Sequence, residues 1–148
     1  LALAQDTLAQ ATQTLQSRFA PRITRQAQEY LSRLTQGKYD RLRLDADLTL
    51  RSGGPEENTL REAFWRSEGT ADQLYLALRL AVAQAVTPQA PLVLDDALLR
   101  FDDARLEAAV ALLQELAQQR QVLLFTCHHR EQQLLTALGS PEREAGSP

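Results

Sequence analysis

Three short segments carry side chains that could act on phosphate. The first is Asp95-Asp96, two adjacent carboxylates directly after the apolar run Leu92-Val93-Leu94. Such a pair suits a hydrated Mg2+, which takes few protein oxygens and keeps several waters and substrate phosphates. One acid can hold the metal while the other orients a water or accepts its proton. An ordinary strand end followed by a helix cap would look the same. The second segment is Thr126-Cys127-His128-His129, after Val122-Leu123-Leu124-Phe125. A histidine there could stabilise a transferred phosphate, or serve the structure alone. Cys127 reads as a small buried residue, and a Cys/His metal site lacks enough spaced ligands. The third is Ser67-Glu68-Gly69-Thr70, at the start of an apolar helix. Hydroxyls, a glycine and backbone N–H groups at a helix N-terminus make an anion site. A plain cap, with Ser67 or Thr70 capping and Gly69 turning, is the alternative.

The elements that position these segments follow from hydrophobic period. Residues 1 to about 36 read as one long helix, with an apolar stripe through Leu8, Ala11, Leu15, Phe19, Ile23, Ala27, Tyr30 and Leu34. Pro21 interrupts it as a kink or break, the Gln-rich first part could end a coiled coil, and Gly37 is a stop signal. Period-two alternation over 41–44 and 48–51 predicts a hairpin, and 52–58 a loop. Residues 59–66 are ambiguous. Ala71 to Val86 is a helix with Leu74, Leu78, Ala81 and Ala85 on one face, widened by Leu76, Leu80 and Ala83. Leu92–Leu94 and Val122–Phe125 read as buried parallel strands. Between them, 103–119 is an amphipathic helix with Leu106, Val110, Leu113 and Leu116 inward and Asp102 or Asp103 as N-cap. A short helix through Leu134, Leu135 and Leu138 and a frayed tail from 139 to 148 complete the chain. Parallel strands joined by a crossover helix give an α/β layer fold, in which ligands bind at the carboxyl ends of strands. Asp95-Asp96 and Thr126-Cys127-His128 are at those ends.

Composition sets the boundaries. A chain of 148 residues, 44% hydrophobic and 24% charged, is long enough for one domain with a real core, and is neither a disordered chain nor a disulfide scaffold. One cysteine cannot form an internal disulfide, so nothing suggests an oxidising compartment. No apolar run approaches a membrane span and no signal peptide is visible. A formal charge of −3 does not favour a general DNA-binding surface. Arg18, Arg22 and Arg25 share a helix face, as Arg41 and Arg43 share a strand side, but solvated faces explain both. Of 16 basic residues only Lys38 is lysine, which reads as compositional bias. The chain starts at Leu1 and has no Met, so the expectation is a piece of a longer product.

The segment from Ser67 to Ala81, SEGTADQLYLALRLA, resembles the ABC-type signature motif in the form used by SMC-like, RecF-like and SbcC-like ATPases, with the YhaN-like bacterial proteins as the nearest flavour. Leu92–Asp96 resembles a Walker B strand, Ala97–Asp102 a D-loop, and Val122–His128 the strand and switch-histidine segment. Lys38-Tyr39 resembles the point where a returning coiled coil re-enters the head. The resemblance covers roughly residues 20–135, and the order of four motifs makes it specific.

The resemblance implies a partial P-loop NTPase fold: an ABC/SMC-type head C-terminal lobe (37–138) with parallel strands and flanking helices. A long helix ending a coiled coil (1–36) and a β-hairpin precede it. It implies that Ser67 and Gly69, with Thr70 behind them, contact the γ-phosphate of ATP held by an opposing head. Asp95 would bind Mg2+ through water, and Asp96 would occupy the catalytic-glutamate position. Asp102 would be the D-loop acid at the dimer interface, and His128 the switch histidine, with His129 as rival. The sequence departs from the pattern at Arg66, where Leu is favoured, at Glu68 in place of the first glycine, and at Asp96, one methylene shorter than Glu.

No G-x-x-x-x-G-K-[ST] loop is present, and Lys38 is in no such context. The implied partners are therefore an N-terminal Walker A lobe of the same protein and a second head, with DNA a further one, in a cytoplasmic setting. The implied function is ATP hydrolysis in DNA repair or chromosome maintenance, with the chain inactive alone. Two alternatives stand: a non-catalytic dimerisation or scaffold module, kept open by Arg66 and Asp96, and a stand-alone phosphatase-like or receiver-like domain using Asp95-Asp96.

Overall fold

The computed structural model describes Thr7 and residues 20–45 and 49–139; of Phe64 it describes the backbone alone. The chain divides into two units, one up to Pro88 and one from Gln89.

In the first unit, helix α1 (Ala20–Leu34) buries Ala27, Tyr30, Leu31 and Leu34, the expected three- and four-residue steps. Pro21 is its second residue; the stripe through Leu8, Ala11, Leu15 and Phe19 lies outside the described residues. The helix stops where expected: Gln36 and Gly37 take left-handed conformations (φ 53° and 82°), and the Gly37 N–H donates back to Ser32 O at 2.7 Å. Strands β1 (Arg41–Leu44) and β2 (Leu50–Gly53) pair antiparallel with Leu44 opposite Leu50 and Arg41 opposite Gly53. The hairpin forms, but Ser52 and Gly53, expected in the loop, belong to β2. Pairing with β1 on one side and, for Ser52, with Arg61 of β3 (Arg61–Glu62) on the other outweighs their turn propensity. A 3-10 turn over Ala63–Trp65 leads to Ser67.

Helix α2 (Glu68–Val86) starts three residues earlier than the apolar pattern predicts. Its buried stripe runs through Thr70, Gln73, Leu74, Ala77, Leu80 and Ala81 and packs on α1; Leu78 and Ala85 are half-buried. Gln73 is buried because its amide donates to Leu34 O, satisfying one of the carbonyls that a helix C-terminus leaves unpaired.

The second unit holds the parallel pair. Strands β4 (Leu92–Asp95) and β5 (Val122–Phe125) run in register, Leu92 opposite Val122 and Asp95 opposite Phe125. The crossover helix α3 (Asp103–Ala117) buries Leu106, Val110, Leu113 and Leu116 as expected, and α4 (His129–Ala137) packs beside it. Arg120 braces the entries to both strands by donating to Ala90 O. The strands are not buried on both faces as their apolar runs suggest. Val93, Leu123 and Phe125 are 59%, 38% and 49% exposed, whereas Leu94 is buried. Two strands with one helical layer leave the second face of the sheet to solvent. The result is a mixed α/β architecture.

Candidate functional site

At the end of β4 the chain turns sharply. Asp96 adopts φ 45°, a left-handed conformation that Asp tolerates because its short side chain can bond locally. Its N–H donates to Phe125 O at 3.0 Å, and its Oδ1 accepts the Cys127 N–H at 3.4 Å. The Asp96 carboxylate is thereby carried across to the end of β5, one residue from His128, while Asp95 stays in register with Phe125. The His128 N–H is held by Thr126 Oγ1 at 3.0 Å, and His128 is the N-cap residue of α4 without a side-chain cap bond. His129 is exposed on α4, 3.4 Å from Gln132 Oε1. Cys127, expected to be buried, is exposed: it lies past the end of β5, outside the sheet.

The donor chemistry fits Mg2+. Asp95 and Asp96 are exposed hard oxygen ligands, and no third acid, His or Cys joins them in a cluster among the described residues. An ion there would complete its shell with water and phosphate oxygens.

The connection from β4 to α3 is pinned by buried Leu98 and Phe101. Asp102 is the N-cap of α3: its side chain accepts the Arg105 N–H at 2.9 Å and lies 3.3 Å from Arg105 Nε. Arg130, two residues past His128, donates to Leu99 O at 3.1 Å and lies 3.6 Å from Asp103. It ties the histidine segment to the loop after Asp96. No local sequence signal marks Arg130 for this, since its partners are about thirty positions away.

The Ser67 segment, in the first unit, is built more tightly. Ser67 is the N-cap residue of α2, but its hydroxyl makes no cap bond. It is exposed and lies 2.9 Å from the buried Thr70 hydroxyl, while its carbonyl accepts the Thr70 and Ala71 N–H groups. Gly69 is buried in the first turn. The residue before Ser67 dominates the surroundings. The Arg66 side chain is only 6% exposed and donates to both carboxylate oxygens of Glu57, at 2.7 and 2.6 Å. It also donates to Ser52 O at 2.6 Å and Ser52 Oγ at 3.2 Å, and its guanidinium stacks 4.6 Å from the centre of the Tyr39 ring. The Arg66 hydrogen bonds hold the Glu57 carboxyl down at about 2, helped by the Gly54 N–H, and Glu57 in turn raises Arg66. The sequence flags Arg66 only as a departure and Tyr39 only through the resemblance of Lys38-Tyr39 to a coiled-coil re-entry point; Glu57 and Ser52 carry no signal, because the meeting of the four is tertiary. Beside this node, an open groove is lined by Arg51, Leu60, Arg61, Glu62 and the exposed Trp65.

No family model matches the chain. Among curated proteins, the uncharacterized YhaN of Bacillus subtilis (strain 168) is 35% identical over 115 residues, covering 73% of this chain and 12% of YhaN. The chain thus spans about an eighth of that relative's length. Among solved structures, an SMC ATPase described for ATP-driven dimerization and DNA-stimulated activation superposes with a TM-score of 0.71 at 19% identity, covering 83% of this chain and 77% of that one. The SMC head of Thermotoga maritima gives 0.62 at 21% identity, covering 88% and 44%. An Smc head bound to the C-winged helix domain of ScpA gives 0.68 at 19%, covering 82% and 39%. In fold the chain is therefore similar to part of an SMC-type head, and in sequence it is akin to part of YhaN.

Proposed function

We propose that the chain is the C-terminal lobe of an ATP-hydrolysing head that needs an N-terminal Walker A lobe to act. The observation that carries this reading is the junction of β4 and β5. There the Asp96 carboxylate reaches the Cys127 N–H at 3.4 Å, beside His128, with Asp95 on the neighbouring register position. On this reading Asp96 orients the attacking water and takes its proton, and His128 faces the γ-phosphate. Asp95 would hold the hydrated Mg2+ that neutralises phosphate charge. Ser67, with Gly69 and Thr70 shaping the first turn of α2, offers hydroxyl and backbone donors to the γ-phosphate of ATP on a second head. Asp102 lies at the head–head interface.

The exposed face of Val93, Leu123 and Phe125 is where a further packed layer of the complete head would cover the strands. Head dimerisation around ATP, a cytoplasmic setting and a role on DNA, in repair or chromosome maintenance, rest on the likeness to SMC ATPases. One of those is described for ATP-driven dimerization and DNA-stimulated activation.

The test is ATP turnover by the full protein, or by this chain supplied with its Walker A lobe. Asp96→Asn is expected to lower kcat by about a hundredfold. The chain alone should show no turnover above background. Equal turnover in wild type and Asp96→Asn would favour the scaffold reading, and Mg2+-dependent phosphatase activity of the chain alone would favour a stand-alone domain.

A further inference from the structure

Ser67 lies in a two-residue extended link between the 3-10 turn and α2: Arg66 has φ −91°, ψ 162° and Ser67 has φ −59°, ψ 151°. Nearby backbone bonds fix each flank, Arg66 N–H to Ala63 O at 3.1 Å on one side and Ala71 N–H to Ser67 O at 2.9 Å on the other. The link itself is anchored sideways, through the Arg66 guanidinium. That group reaches the end of β2 at Ser52, the following loop at Glu57, and the face of Tyr39.

Tyr39 is bound to the end of α1. Its N–H donates to Thr35 Oγ1 at 3.1 Å, and Thr35 Oγ1 donates to Leu31 O at 2.8 Å. The loop that carries Glu57 is pressed onto the same exit. A Cβ on Gly54 would fall 2.4 Å from Lys38 O, so only glycine fits there, and the Gly54 N–H donates to Glu57 Oε2 at 3.2 Å. A contiguous set of bonded groups therefore runs from the last turn of α1, through Tyr39 and Arg66, to Ser67.

We propose that Arg66 is a positioning residue for the Ser67 anion site, fixing its presentation to phosphate and joining it to the end of α1 through Tyr39. This rests on the ATPase reading above. An arginine at this place is then no sign of decay. The guanidinium fork does by hydrogen bonding what an apolar side chain would do by packing, and it adds a bidentate geometry that lysine cannot reproduce.

The test uses the full protein, with kcat and KM for ATP measured on Arg66→Leu, Arg66→Lys, Glu57→Gln, Tyr39→Leu, Ser67→Ala and the double variant Arg66→Leu/Ser67→Ala. Arg66→Leu and Glu57→Gln are each expected to lower kcat by about tenfold, with KM changed by less than about twofold, because a positioned donor lost only from the transition state leaves ground-state binding intact. Arg66→Lys should recover part of the loss and Tyr39→Leu should show a smaller one. The double variant should be no slower than Ser67→Ala alone, since both changes remove the same donor. If Arg66→Leu unfolds, as a thermal melt would show, Glu57→Gln carries the same test. Wild-type kcat in Glu57→Gln, or losses that multiply in the double variant, would overturn the proposal while leaving the ATPase reading in place. Unchanged turnover in Ser67→Ala would overturn both.

Discussion

The Ser67 segment and the ends of β4 and β5 are both phosphate-compatible, but they are finished to different degrees. Around Ser67, a nearly inaccessible guanidinium is saturated by a carboxylate, a carbonyl, a hydroxyl and an aromatic face, all from this chain. At the strand ends the two carboxylates are exposed, the sheet has two strands among the described residues, and one of its faces is open. A site that must present a rigid donor to something outside can be completed by its own chain. On the proposed reading, the strand-end site shares a metal and a phosphate with another lobe, so it cannot be completed by this chain and retains an open face.

The largest effect should appear in the core of the unit that carries the Ser67 segment. Leu31 and Leu74 are fully buried in the first unit. Leu31→Ala or Leu74→Ala should destabilise the chain by about 3 kcal/mol, the cost of a lost side chain plus its cavity, read from urea unfolding. A cost below about 1 kcal/mol at both positions would mean that the core of the first unit is loosely packed.

The next effect has the opposite sign. Glu131, near the start of α4, is fully buried, and neither carboxylate oxygen has a hydrogen-bond partner among the described residues. A buried polar group without a partner costs stability. Glu131→Met, of similar volume, should therefore stabilise the chain by about 1–2 kcal/mol. Destabilisation instead would mean that a donor reaches Glu131, and that the second unit is more complete than its open sheet suggests.

Acid should separate the regions less strongly. Glu57 is shifted down from 4.5 to about 2, first by the Arg66 hydrogen bonds, so the folded state binds a proton less readily than the unfolded chain. Its contribution is complete above the unfolded value of 4.5 and is lost as pH falls towards about 2. Glu57 is partly exposed, so after solvent screening that contribution should stay below about 1 kcal/mol. Unfolding midpoints of wild type and Glu57→Gln should converge as pH falls through that window. A constant gap would place the stabilisation elsewhere.

Much of this contrast was legible in the sequence, but unevenly. Local period found α1, α2, α3, both parallel strands and the hairpin, because each buries one face at a regular step. It placed Asp95, Asp96 and His128 at strand ends, and the structure brings Asp96 and the His128 segment together. It missed what depends on distant partners. Arg66 looked like a defect until Glu57, Ser52 and Tyr39 surrounded it, and Gly53 looked like a turn until Arg41 paired with it. Gln73 was not among the residues placed on the buried face, and only the Leu34 carbonyl that receives its amide explains its burial. It also misread Val93, Leu123 and Phe125. An apolar strand reports what the complete sheet requires, even where this chain alone does not cover it.

That last point gives the smallest effect and the sharpest use of the contrast. Val93 is exposed on the open face, so Val93→Thr should change the stability of the chain alone by less than about 0.5 kcal/mol. If a Walker A lobe covers this face in the full protein, the same change places a hydroxyl in an apolar interface and should cost about 1–3 kcal/mol there. The informative quantity is the difference between the two contexts, measured by urea unfolding of the chain and by its affinity for the separately supplied lobe. A similar small value in both would mean that the face is solvent-facing in the complete head too. The unfinished region would then have to be completed along the strand edges, through backbone hydrogen bonds that side-chain substitution does not touch.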